Sequence, residues 1–243
     1  MRVVAISDLH GYLPKDLPEG DVLCICGDIV PLEYQRDKYA SVAWFDLEFV
    51  PWTDSLSYKK VVFIAGNHDF FLEELHKRYT GLNEYFIDTN PSRVLKRLLP
   101  GNNKGKHKLV YLCDNSVEIE GKRFYGTPYV AELYNWAFYR SSEELETLFD
   151  RIPKKLDVLL THMPPRCASM GEVLQRGNFN SGSDYGSKEL ADAIAKRDIR
   201  YSLCGHVHSG CHKPVELGGT VFVNVSMKDE NYCTTYNPVV LDI

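Results

Sequence analysis

Long apolar runs are missing from this 243-residue chain: none of its hydrophobic stretches approaches the roughly 20 residues that cross a bilayer, so no membrane partner is expected. Basic blocks are missing too. Lys and Arg number 28 against 33 Asp and Glu, for a net charge of −5, and no segment gathers the cations that follow a nucleic-acid backbone. A nucleic-acid polymer is therefore not the expected partner. The chain has no Cys-x-x-Cys pair, and its 7 cysteines are an odd number. Cys24, Cys26, Cys113 and Cys204 lie inside apolar runs, where a free thiol acts as a small hydrophobe. Met1-Arg2 leads straight into VVAIS with no leader pattern. Reduced thiols and a cytoplasmic location are the expectation. No repeat, low-complexity tract or linker interrupts the chain, so residues 1–243 read as one domain.

Short β-branched runs are plentiful: RVVAIS, DVLCIC, KVVFIAG, KLVYLCD, SVEIEG, DVLLTH, YSLCGH, TVFVNVS and PVVLDI. Several are continuous rather than alternating, as in strands covered on both faces. Helical spacing predicts helices over Ser141–Ile152, with Ser141 and Glu144 as a capping box, over Ser187–Arg197, and over Asp37–Val50. The alternation argues an α/β fold. The runs between Lys108 and Tyr129, and the two at the C-terminus, read as antiparallel neighbours, which predicts mixed sheets. Pro100–Lys108 reads as an exposed loop.

Five of these runs end in polar residues: Asp8-Leu9-His10, Gly27-Asp28, Gly66-Asn67-His68-Asp69, His162, and Gly205-His206-Val207-His208. Singly each is ordinary, since an Asp after a strand is usually a cap or turn. Together they are not, because strand C-termini are where α/β sheets bind ligands. Carboxylate, amide carbonyl and imidazole suit first-row transition ions. Even with one His and one Asp of the Gly66–Asp69 block set aside, two Asp, one Asn and four His exceed the needs of one ion. Two ions roughly 3.5–4 Å apart, sharing a carboxylate, can clamp a phosphoryl group and make hydroxide from water.

These blocks, in this order, resemble those of the calcineurin-like metallophosphoesterase superfamily. FYGTPY, LLTHMPP, CGHVHSGC and TVFVNVS…PVVLDI are similar to blocks of its small metallophosphoesterase-domain proteins, which are related to class III cyclic-nucleotide phosphodiesterases. The resemblance implies a four-layer α/β/β/α sandwich of two mixed sheets with outer helices. It implies Asp8, His10 and His208 on a first metal, Asp28 as the bridge, and Asn67, His162 and His206 on a second. It implies that His68 contacts the phosphate and protonates the leaving oxygen, with Asp69 orienting its ring. Manganese is the first expectation for both ions, with iron, zinc and cobalt open.

The expected substrate is a small phosphodiester, such as a cyclic nucleotide. Protein Ser/Thr phosphatases of that superfamily carry arginines beside the motifs, in patterns like GDYVDRG and RGNHE, whereas GDIVPLEY and AGNHDFF here have none. Arg123, Arg140 and Arg166 are the arginines that would have to supply that charge. Asn135, Trp136, Phe138 and Tyr139 form an aromatic cluster after GTPY, from which Trp136 is a candidate substrate contact, as is Arg166 after HMPP. A phosphomonoesterase, or a nucleotide-binding scaffold with little turnover, remains the alternative.

Overall fold

Alternation along the strands decides which side chains meet. In β1 (Arg2–Ile6), Val3 and Ala5 face a second sheet, while Val4 and Ile6 face a helical layer. All four are fully buried. The computed structural model describes residues 1–79, 107–131, 133–173 and 182–243. The predicted loop at 100–108 lies outside these residues as far as 106.

Two sheets carry the fold. The first has the order β11-β1-β2-β3-β4, with β2 (Val22–Cys26), β3 (Lys60–Ile64), β4 (Leu109–Tyr111) and β11 (Val239–Asp242). Its pairs are parallel except at β11. The second has the order β5-β6-β7-β8-β10-β9, with β5 (Asn115–Ile119), β6 (Lys122–Thr127), β7 (Lys155–Thr161), β8 (Asp198–Cys204), β9 (Val215–Leu217) and β10 (Thr220–Asn224). Its centre is parallel and its two edges antiparallel. The sheets meet through a dry layer that includes Cys24, Val62 and Ile64 from one and Phe124, Leu160 and Val223 from the other. The mixed-sheet α/β expectation holds.

Helices cover the outer faces. α1 (Lys38–Trp44) starts at Asp37, whose carboxylate accepts from the Tyr39 and Ala40 N–H groups. It continues through a π-turn (Phe45–Phe49) into α2 (Val50–Ser55). Pro51 has no N–H for the ladder, and the wider turn accommodates it. Phe45 and Phe49 pack on Phe63 of β3 at 6.0 and 5.8 Å between ring centres. α3 (Phe70–Tyr79) follows the Gly66–Asp69 turn directly. α4 (Ser142–Phe149) has the predicted capping box, and α5 (Lys188–Ala195) is capped by Ser187. Among the described residues no helix is long and apolar enough to cross a membrane.

Three local readings differ. β4 does not pair with β5: Leu112 N–H bonds Phe63 O in one sheet and Asp114 N–H bonds Gly126 O in the other, so the chain crosses between sheets there. β10 and β11 likewise lie in different sheets. Sequence neighbours look like hairpins until the layer each strand buries against is known. β9 escaped the reading although Gly218-Gly219, both at positive φ, mark its hairpin with β10.

Candidate metal centre

Every candidate ligand sits just beyond the C-terminal end of a parallel strand: Asp8 and His10 after β1, Asp28 after β2, Asn67 after β3, His162 after β7, and His206 and His208 after β8. The loops are held in costly shapes. Asp8, His10, Asp28 and His206 all have positive φ, at 57, 42, 54 and 70°. Such conformations in non-glycine residues cluster where function needs a side chain aimed. Neighbouring loops hold them: Asp8 N–H bonds Gly27 O at 3.0 Å, and His10 N–H bonds Asp28 O at 2.9 Å. Gly27 explains the glycine before Asp28. At φ 96° it passes so close that an added Cβ would stand 2.6 Å from His162 Nδ1.

Asp28 occupies the middle. Its Oδ2 lies 3.3 Å from His162 Nε2, 3.7 Å from His68 Nε2 and 3.8 Å from His10 Nε2. Asp8 Oδ1 is 3.6 Å from His208 Nε2. Asn67 Oδ1 is 2.9 Å from His162 Nε2, and the His206 ring is 5.0 Å from the His162 ring. Two groups of potential ligands form around this centre, Asp8–His10–His208 and Asp8–Asp28–His162. A third, His10–Asp28–His68, includes the residue read as a non-ligand. The imidazoles are aimed from behind. His162 Nδ1 donates to Cys26 O at 2.8 Å and His208 Nδ1 to Asp229 O at 3.0 Å, which turns each Nε2 inward.

Divalent cations fit this arrangement. Asp8 and Asp28 are buried carboxylates, and no Lys or Arg pairs with either among the described residues. Both nitrogens of His10 are buried without a hydrogen-bond partner. Buried polar groups left this way need a ligand. Burial opposes ionisation of Asp8, yet the His208 hydrogen bond and charge hold it well below the usual carboxylate range. Burial would also lower His162, but the Asp28 carboxylate raises it to about 9. The Asp28 carboxylate thus favours positive charge at the His162 ring edge, the place a cation would take. Burial pushes His10 down to about 4 and His206 to about 3, leaving their lone pairs free at neutral pH.

Asp69 does not orient His68. Its carboxylate accepts from the N–H groups of Gly66 at 2.8 Å, Ile29 at 3.0 Å and Val30 at 3.1 Å, tying the turn after β3 to the loop after β2. Burial and the Asp28 carboxylate push it up to about 7, against the pull of these donors. The ring partner of His68 is Gln35, whose Oε1 accepts from Nδ1. An amide fixes the ring but does not favour imidazolium as a carboxylate would. Burial lowers the His68 pKa, and the Asp28 charge only partly opposes this. Asp69→Ala should orphan three buried N–H groups at about 1–3 kcal/mol each, so urea unfolding should show a loss of about 3 kcal/mol or more. A loss below about 1 kcal/mol alongside a collapse in turnover would restore the ring-orienting role.

Trp136 does reach the site, with its ring 4.4 Å from that of His68. Arg166 is tied elsewhere: its Nε donates to Gly186 O at 3.0 Å, in a cleft lined by Tyr134, Met163 and Tyr185. Three contributors escaped the sequence reading. Besides Gln35, Arg36 lies over Trp136 at 5.1 Å and Phe70 at 4.4 Å, and Tyr232 packs on His10 and His208. The signal available for Arg36 was its position in the loop after Gly27-Asp28, eight residues beyond Asp28.

Carboxylates and imidazoles gathered at strand ends of two facing sheets define a metallophosphoesterase. The chain belongs to the calcineurin-like phosphoesterase family, whose sequence model matches residues 1–210. A UPF0046 protein of Caenorhabditis elegans is 31% identical over all of this chain and 81% of its own length. A longer UPF0046 protein of the same organism, also 31% identical, is spanned over 60% of its length. Human metallophosphoesterase domain-containing protein 1 is 30% identical over all of this chain and 71% of its own. Among solved structures, phosphopantetheinyl hydrolase from Mycobacterium tuberculosis shares the fold at a TM-score of 0.50 and 15% identity, over 95% of this chain and 90% of that one.

Proposed function

We propose that the protein hydrolyses small phosphodiesters with two metal ions, manganese first among the choices. Asp8, His10 and His208 would hold one ion, Asn67, His162 and His206 the other, and Asp28 both. When bound, the pair supplies charge neutralisation and hydroxide at neutral pH. Asn67 and His68 face the phosphate, and Trp136 beside His68 lines the path of the leaving group. His68, its ring fixed by Gln35, turns Nε2 toward the phosphate, and in the imidazolium form that the anionic diester favours it would give the leaving oxygen a proton from Nε2.

The observation that carries the diester preference is the distribution of arginines. A monoester is close to doubly charged at neutral pH, while a diester carries one charge. Arg140 donates to Tyr139 O at 2.6 Å and pairs with Glu73 at 3.4 Å. Arg166 is tied to Gly186, and Arg123 is the second residue of β6, at the end away from the strand C-termini. Arg36 Nη2 donates to Asn135 O at 3.1 Å. Arg123, Arg140 and Arg166 are thus held away from the centre, and Arg36, beside Trp136, is the one of the four that stands near it, its guanidinium held by Asn135 O and the Phe70 and Trp136 rings. The test is kcat/KM for bis-p-nitrophenyl phosphate against p-nitrophenyl phosphate under one metal. The diester should be favoured. Preference for the monoester by about tenfold or more, a difference of about 1.4 kcal/mol, would overturn the reading and make Arg36 the cation to mutate next.

A further inference from the structure

The loop that follows β10 puts a strained aromatic residue on the metal centre. Tyr232 has φ 60°, a costly conformation for a bulky side chain. The Asp229 turn enforces it: Asp229 O accepts from Tyr232 N–H at 2.9 Å, and Asp229 Oδ1 accepts from the N–H groups of Asn231 and Cys233 at 2.9 and 3.0 Å. The same Asp229 O holds His208 Nδ1, and Glu230 Oε1 accepts from Ser209 N–H at 3.0 Å, so the turn is bolted to the Gly205–His208 block. The result is a ring set edge-on to His10 at 4.9 Å and to His208 at 5.1 Å, yet the residue remains 41% exposed. No hydrogen bond to its hydroxyl forms among the described residues.

The rings run in sequence across the site: Trp136 lies 4.4 Å from His68, His68 4.7 Å from His10, and His10 4.9 Å from Tyr232. The two imidazoles at the centre are the phosphate-facing His68 and the candidate ligand His10 of the proposed site, and an aromatic side chain stands at each end. A phosphodiester has two ester arms. The leaving arm must emerge beside the proton donor His68, which places it at Trp136. The other arm then projects toward His10.

We propose that Tyr232 is a specificity-determining residue that stacks the retained ester arm, so that the preferred substrates are diesters with a flat aromatic or nucleobase-bearing group on that arm. This rests on the phosphodiesterase reading. The balance of the reaction is unchanged: water adds to phosphorus, the bond to the leaving oxygen breaks, and that oxygen takes a proton.

Two diesters that both release p-nitrophenolate separate the arms. Bis-p-nitrophenyl phosphate carries an aromatic retained arm, and methyl p-nitrophenyl phosphate does not. Glycine suits a positive φ, so Tyr232→Gly should fold, and because the ring packs on His10 and His208 its metal content is measured beside the rates, which are compared per metal-loaded chain. With the full-length, Mn²⁺-loaded protein, it should lose about tenfold or more in kcat/KM on the bis-aryl ester, the scale of one stacked ring. On the methyl ester it should change less than about threefold, under half of that free energy. Tyr232→Phe should keep the wild-type ratio, and Trp136→Ala should lose activity on both esters. Equal losses of Tyr232→Gly on both substrates, no loss on either, or a Phe variant that behaves like Gly would each overturn the assignment. Failure of the wild-type protein to cleave either ester would overturn the phosphodiesterase reading itself.

Discussion

Asp28→Ala is expected to take the protein from two bound metal ions per chain to none or nearly none, with activity lost alongside. Among the described residues, its carboxylate is the one acidic group within 4 Å of three imidazoles from three different loops. In the proposed arrangement, removing it would take a ligand from each ion at once, whereas loss of His208 or His206 would open only one side. Elemental analysis of purified wild-type and variant protein checks this. One ion or none in active wild-type protein would reject the dinuclear arrangement. Asp28 Oδ1 also accepts from the His68 N–H at 2.9 Å, so alanine carries a folding cost of about 1–3 kcal/mol for the orphaned donor. Asp28→Asn retains an acceptor in that place. Loss of metal in the asparagine variant, with the melting temperature of the metal-free form unchanged, separates metal holding from folding.

His68→Ala should keep both metals and lose turnover. General acid catalysis is worth about 10²–10⁴-fold. The loss should be smallest for p-nitrophenyl esters, whose leaving group needs little protonation, and largest for alkyl or nucleoside leaving groups. The chain's own geometry supports the test: His68 lies with Nε2 toward the centre, Nδ1 bound to Gln35, and its ring against Trp136. Removing the ring leaves a gap beside Trp136, so metal content and melting temperature must be read with the rates. Equal losses across leaving groups would assign His68 to phosphate binding alone.

The contrast between these residues and their supports shows how far sequence reasoning reaches. Asp8, His10, Asp28, Asn67, His162, His206 and His208 were legible because each follows a β-branched run directly. A strand end is a local property, and polar residues there stand out against an apolar background. The capping box at Ser141 and Glu144 was legible for the same reason, since both partners lie within one helical turn. The role of Asp69 was not. Its partners Ile29 and Val30 lie 40 and 39 residues away, and its place beside His68 in sequence suggested an orienting contact that the turn does not make.

The sequence by itself determined the α/β class, the strands that end in candidate ligands, and the chemistry those side chains favour, because residue type and short-range periodicity carry all three. Tertiary structure alone decided which strands share a sheet, that Gln35 rather than Asp69 holds His68, that Arg123, Arg140 and Arg166 are tied away from the centre, and that Tyr232 closes its rim. The physical reason is plainest for Gln35 and Tyr232, whose contacts with His68 and His10 join loops 33 and more than 200 residues apart. No periodicity links such positions, and they meet only after two parallel-centred sheets stack and bring their strand C-termini to one edge.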